Sequence, residues 1–195
     1  MIQPQTYNIH NAIISILEGD ITKHQADVIV NAANHALLGE DGVDGAIHIA
    51  AGPELQIECN KTGYCAVTDV VVTKAYNLPA RHVFHTVGPQ WGDDEELAES
   101  LLFQTYSNNL SQAEELQVAS IVFPSISTGQ YGVPTQVGAR AFARALQYFF
   151  DTVQPKYLLD IRMIIYYDPD FDELSDASKQ YAHHLQLLTD EYSKQ

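Results

Sequence analysis

Asp44 and His48 stand four residues apart in the run Gly42-Val43-Asp44-Gly45-Ala46-Ile47-His48. On a helix that spacing puts a carboxylate and an imidazole on one face. Such a pair can take a proton or hold a water. The same residues also fit a plainer reading, in which Asp44 caps the helix and His48 is its neighbour. Just upstream lies Asn31-Ala32-Ala33-Asn34. The Asn34 amide offers donors and an acceptor to a ribose hydroxyl, or it closes a turn through its own side chain. A second segment, Ser127-Thr128-Gly129-Gln130-Tyr131-Gly132, consists largely of small residues. Its glycines let a backbone approach a pyrophosphate without a Cβ clash, although an ordinary turn uses them too. Loops of this kind bring N–H groups close to an anion. The two segments together suggest phosphate binding with acid–base chemistry beside it.

Two more positions carry a double reading. Asp20 follows Gly19 at a strand end. It is either the centre of an Asx-turn or an acceptor for the exocyclic amine of adenine. Tyr167 ends the last apolar strand and can stack on a base; as one of 11 tyrosines it otherwise belongs to the core. Tyr166 is expected to face the opposite way if the strand continues that far.

The elements that must position these residues alternate. Apolar or β-branched runs predict strands over Ile13 to Leu17, Asp27 to Asn31, Val67 to Thr73, His82 to Val87, Val118 to Phe123 and Leu159 to Tyr166. Helices are expected over Gly45 to Ala51 and Glu54 to Asn60, interrupted at Gly52-Pro53. A longer helix runs from Glu95 to Leu116, with Leu97, Leu101, Tyr106, Leu110 and Ala113 at helical spacing. Another covers Thr135 to Phe150, with Thr135 as N-cap. A last one covers Asp172 to Tyr192, with Leu174, Tyr181, Leu185 and Leu188 on one side. This alternation implies an α/β fold with helices on both faces of the sheet. Ligands in such folds sit beyond the carboxyl ends of the strands, where both loops lie.

With 195 residues, 46% of them hydrophobic, the chain is expected to form one domain, 1–195, with a substantial core. The net charge of −15, with only 10 Lys and Arg, argues against nucleic acid as a partner. An anionic ligand must then be held by local donors against the overall field. No apolar run reaches membrane-spanning length, and Met1 to Asn8 lacks the pattern of a signal peptide. No membrane association is expected. The two cysteines, Cys59 and Cys65, are read as free thiols, and the location as cytoplasmic. Two cysteines and scattered histidines give no zinc pattern. The oligomeric state stays open.

Six ordered motifs now carry a resemblance: Gly19-Asp20-Ile21-Thr22; Val28-Ile29-Val30-Asn31-Ala32-Ala33-Asn34; Gly42 to His48; Ala50-Ala51-Gly52-Pro53; His85-Thr86-Val87-Gly88-Pro89; and Phe123-Pro124-Ser125-Ile126-Ser127-Thr128-Gly129. From about 14 to 168 the chain resembles a macro domain, and more narrowly the MacroD-type ADP-ribose hydrolases. The resemblance implies a three-layer α/β/α fold around a central mixed sheet. It implies that Asp20 accepts from the adenine amine, that the Ile21 amide meets the ring, and that Tyr167 stacks on it. Ser127, Thr128, Gly129, Gln130 and Tyr131 would cradle the pyrophosphate, with Gly42 and Val43 on its other side. Asn34 and Asp44 would flank the distal ribose.

The implied activity is metal- and cofactor-independent hydrolysis of an ester at that ribose. Mono-ADP-ribosylated acidic side chains of proteins or O-acetyl-ADP-ribose would be the substrates. Asp44 would position or activate water and Asn34 would orient the ribose. The alternatives are a non-catalytic ADP-ribose reader and a phosphatase for ADP-ribose 1″-phosphate. The chain departs from the family pattern in three places: Gly39-Glu40-Asp41-Gly42 where glycines usually run, Ala66-Val67-Thr68-Asp69, and Ile49 where arginine is frequent. Carboxylates at 40 and 41 are expected to repel a diphosphate if they face the cleft.

Overall fold

The computed structural model describes residues 4–92, 94–166 and 176–194. Seven strands, β1 (Gln5–Ile9), β2 (Ala12–Glu18), β3 (Val28–Ala32), β4 (Val70–Lys74), β5 (His82–Thr86), β6 (Ser120–Pro124) and β7 (Asp160–Ile165), form one sheet. Its order is β1-β2-β7-β6-β3-β5-β4. The five strands β2, β7, β6, β3 and β5 run parallel, and β1 and β4 close the edges antiparallel. The helices are α1 (Gly42–Ala51), α2 (Pro53–Thr62), α3 (Glu95–Glu115), α4 (Thr135–Tyr148) and α5 (Asp176–Tyr192).

The period-2 alternation of strand side chains divides the core into two layers. Val28 and Val30, Ile121 and Phe123, and Ile161 and Met163 pack with Leu102 and Tyr106 of α3, Phe142 of α4 and Tyr181 of α5. Residues of the opposite facing, Ile29, Val122 and Ile164, pack with Ile47 of α1 and Leu55 and Cys59 of α2. Because both faces are covered, the central strands carry unbroken apolar runs such as Val28 to Val30 and Ile121 to Phe123. The fold is therefore the expected three-layer α/β/α arrangement around a mixed sheet. Among the described residues no helix is long and apolar enough to cross a membrane.

Several local expectations need correction. The edge strand β1 was not legible; it joins β2 through a tight turn in which His10 takes φ 51°. Val67 makes only an isolated bridge to Val87, and β4 starts at Val70. Helix α1 begins at Gly42 rather than Gly45, so Asp44 lies in its first turn and Asp41 at its cap position. Pro134, not Thr135, occupies the cap position of α4. That helix continues past Tyr148 into a wider turn, Phe149–Val153. On α3 Leu97 is exposed; the buried stripe is Ala98, Leu102, Tyr106, Leu110 and Ala113. Residues 172–175, where the last helix was expected to begin, lie outside the described residues.

Candidate functional site

Four parallel strands, β2, β7, β6 and β3, end on the same edge of the sheet, and a cleft of about 990 Å³ opens there. Its walls are Gly19 to Ile21 after β2, Ala32 to Asn34 at the end of β3, Glu40 to Asp44 at the start of α1, Pro124 to Tyr131 from the end of β6, and Ile164 to Tyr166 at the end of β7. Both loops singled out by their composition therefore face one space.

The first wall is built around Asp44. Asp44 is 5% exposed, and its carboxylate takes three N–H donors. Asn31 Nδ2 donates to Oδ1 at 2.7 Å. Asn34 Nδ2 and the Glu40 backbone N–H donate to Oδ2, both at 3.2 Å. Burial raises the pKa of Asp44; the Asn31 and Glu40 donors and the nearby His48 pull the other way. The loop reaches this geometry because Gly45 lets the Glu40 carbonyl lie against the helix. A Cβ at 45 would fall 1.9 Å from that oxygen. Asn34 also closes its own turn, donating to the Leu38 carbonyl and accepting from the Leu38 N–H. Its amide thus serves both the turn and Asp44.

Behind Asp44 lies a buried polar row that the motif reading did not use. Asn31 and His85 face each other across β3 and β5, and both are fully buried. Asn31 Nδ2 lies 3.1 Å from His85 Nδ1, and His85 Nε2 lies 3.0 Å from Thr73 Oγ1. The sequence signal for it is a polar residue directly after apolar ones in each strand: Asn31 after Val28 to Val30, and His85 after Val83 and Phe84.

The opposite wall carries Ser127, Thr128, Gly129, Gln130 and Tyr131. Ser127 adopts φ 64° without being glycine, a strained conformation of the kind that gathers at ligand sites. Its Oγ is buried and, among the described residues, has no hydrogen-bond partner. Gly88 packs so closely that a Cβ there would meet that Oγ at 2.2 Å. A hydroxyl network holds the base of this loop. Tyr106 Oη accepts from the Ile126 N–H at 3.0 Å, and it lies 3.2 Å from Tyr181 Oη. Tyr181 Oη is 2.8 Å from Ser125 Oγ, and Thr128 Oγ1 donates to the Ser125 carbonyl at 3.0 Å. Helix α5 thereby reaches the cleft from behind.

At the far end Asp20 Oδ1 accepts from the Thr22 N–H at 2.9 Å and the Thr22 hydroxyl at 2.7 Å. The turn reading of Asp20 is realised, and Asp20 and Ile21 also line the cleft. Two expected positions fall elsewhere. His48 lies behind Asp44, its Nε2 3.5 Å from Asp44 Oδ1, because α1 turns that face inward under Gly39. Gly132 closes a turn onto Gly129 and stays out of the cleft wall. Tyr167 lies outside the described residues. Tyr166, expected to face away, lines the cleft instead and is 84% exposed, since β7 ends at Ile165 and no longer fixes its direction.

Among the described residues one group brings metal-type ligands together: His48, Cys59 and His85, with ligand atoms within 4.8 Å of one another. Both nitrogens of His85 already face hydrogen-bond partners, and burial pushes the Cys59 thiol up to about 11. These two side chains fit hydrogen-bonded packing.

A family model described as the macro domain matches residues 30–142. A relative from Escherichia fergusonii, named O-acetyl-ADP-ribose deacetylase, is 49% identical over 140 residues, covering 70% of this chain and 79% of its own. The Oceanobacillus iheyensis macrodomain with ADP superposes with a TM-score of 0.84 at 34% identity, covering 97% of this chain and 98% of that one. The Trypanosoma brucei macrodomain in complex with ADP-ribose gives 0.75 at 35% identity, covering 87% and 68%. The ordered motifs, the sheet order and these likenesses agree, and the chain belongs to the macro domain family.

Proposed function

We propose that this protein binds ADP-ribose in the cleft and hydrolyses an ester at the distal ribose. The observation that carries the reading is Asp44: a buried carboxylate oriented by three N–H donors at the mouth of a cleft whose facing wall is a strained, glycine-containing loop. The E. fergusonii relative's name and the ADP and ADP-ribose held by the two structural neighbours support it. In this reading the diphosphate lies against the amides of Ser127 to Tyr131, and the adenine lies near Asp20 and Ile21 with Tyr166 as the stacking ring. Asp44 takes a proton from the attacking water. The ester C–O bond breaks, the acyl group leaves as the acid, and the proton passes to the ribose oxygen. O-acetyl-ADP-ribose and proteins mono-ADP-ribosylated on Asp or Glu are the proposed substrates, in a cytoplasmic setting.

One observation favours a second reading. Glu40 and Asp41 both line the cleft, and their charge opposes a diphosphate, which suits a weakly binding or non-catalytic reader. Incubation with O-acetyl-ADP-ribose, and separately with a glutamate-ADP-ribosylated protein, separates the two. Release of acetate or ADP-ribose supports the hydrolase. Binding without release supports the reader.

A further inference from the structure

The row behind Asp44 does more than fill space. Asn31 Nδ2 has two hydrogens and two neighbours: Asp44 Oδ1 at 2.7 Å and His85 Nδ1 at 3.1 Å. Both neighbours must accept. His85 can accept at Nδ1 only if its proton is on Nε2. That nitrogen faces Thr73 Oγ1 at 3.0 Å, with Cys59 Sγ farther off at 3.6 Å, and Thr73 spends its own proton on the Lys74 carbonyl at 3.2 Å. Thr73 therefore accepts, which fixes the proton of His85 on Nε2. A flipped Asn31 amide would set its oxygen against both the Asp44 carboxylate and the His85 lone pair.

We propose that His85 is a positioning residue for Asp44: its Nδ1 lone pair, set by Thr73, holds the Asn31 amide in the one orientation that gives Asp44 Oδ1 a donor. The row spans β4, β5, β3 and α1. His85 is fully buried and does not line the cleft, so it acts through Asn31 and touches no substrate. Burial, with His48 adding to it, lowers its pKa to about 3, so the ring stays neutral and Nδ1 stays an acceptor wherever the enzyme works. The kinetic part rests on the proposed hydrolase reading; the tautomer does not.

The test has two arms. The first is the imidazole tautomer of His85, read from long-range proton–nitrogen NMR correlations of the ¹⁵N-labelled full chain. The expected result is a neutral ring protonated at Nε2. A ring protonated at Nδ1, or a charged ring near neutral pH, overturns the proposal whether or not any ester is hydrolysed. The second arm compares ester hydrolysis by wild type, His85→Leu and His85→Asn. Leucine removes the acceptor, while the asparagine carbonyl reaches the place of Nδ1. For His85→Leu kcat is expected to fall about 10- to 100-fold with KM within about twofold, the scale of losing an orienting hydrogen bond to a charged group. His85→Asn is expected to recover most of the loss. Equal losses in both folded variants, or an unchanged kcat in His85→Leu, overturn the proposal. If His85→Leu does not fold, Thr73→Val replaces it: a severalfold drop in kcat at unchanged ADP-ribose affinity supports the row, and an unchanged kcat overturns it.

Discussion

Neutralising Glu40 and Asp41 is expected to tighten ADP-ribose binding. Both side chains are exposed and both line the cleft. Burial raises the pKa values of Asp44 and Tyr131, and the charge of Glu40 adds to each. Glu40 is therefore felt on both sides of the cleft. Two unit charges about 8 Å apart repel by roughly 2 kcal/mol at an effective dielectric of about 20. Exposure and a Debye length of about 8 Å at physiological ionic strength reduce each pair to roughly 0.25–0.5 kcal/mol. Over two carboxylates and two phosphates the total is roughly 1–2 kcal/mol, or about 5- to 30-fold in Kd. The variant Glu40→Gln with Asp41→Asn removes the charge and keeps the side-chain volume. Asp41 makes no capping hydrogen bond, so helix α1 is expected to keep its start. Calorimetric titration with ADP-ribose at about 0.05 M and about 1 M salt, where the Debye length falls to about 3 Å, reads both affinity and screening. Wild type should bind more weakly at low salt and gain as salt rises, and the variant should be tighter and flatter. Equal affinities and equal salt slopes would refute the reasoning. A gain only in Glu40→Gly with Asp41→Gly would assign the effect to backbone freedom instead.

Other outcomes follow from the same geometry. Because burial raises the pKa of Asp44, the acid limb of kcat against pH is expected above the ordinary carboxylate range; a limb near pH 4 would count against that role. The same shift makes stability fall as pH rises from the unfolded carboxylate pKa of about 3.9 through the higher folded one, and urea midpoints of Asp44→Asn should lack that fall. Tyr166→Ala is expected to weaken ADP-ribose by roughly tenfold through loss of a base-stacking ring, read by calorimetry. Tyr181→Phe removes the hydroxyl that joins Tyr106 to Ser125; a stability loss of about 1–3 kcal/mol and a severalfold weaker ADP-ribose complex are expected, by urea unfolding and calorimetry.

The layers of the fold were legible because buried parallel strands read as apolar runs, and Val28 to Val30 and Ile121 to Phe123 are such runs. Strand β1 was not, since Gln5–Ile9 is a half-exposed edge with mixed composition. The cleft residues at 20, 34, 44 and 127 to 131 stood out through loop chemistry after strands, whereas Ile21, Gly42 and Val43 were implied by the family resemblance. His48 was misplaced because i, i+4 spacing establishes a shared face but not which way that face points. Tyr166 was missed because alternation holds only inside a strand, and β7 stops one residue earlier. Asn31 and His85 belong to strands far apart in sequence, and only the parallel register brings them together.

The central claim is that Asp44 acts in chemistry rather than in holding the ligand. Single-turnover hydrolysis of O-acetyl-ADP-ribose by wild type and Asp44→Ala, with ADP-ribose Kd measured for both, tests it most directly. The account predicts a rate at least about 100-fold lower in the variant, within the range for a lost general base, and Kd values within about threefold of each other. Equal rates, or a wild type that does not bind ADP-ribose, would contradict it.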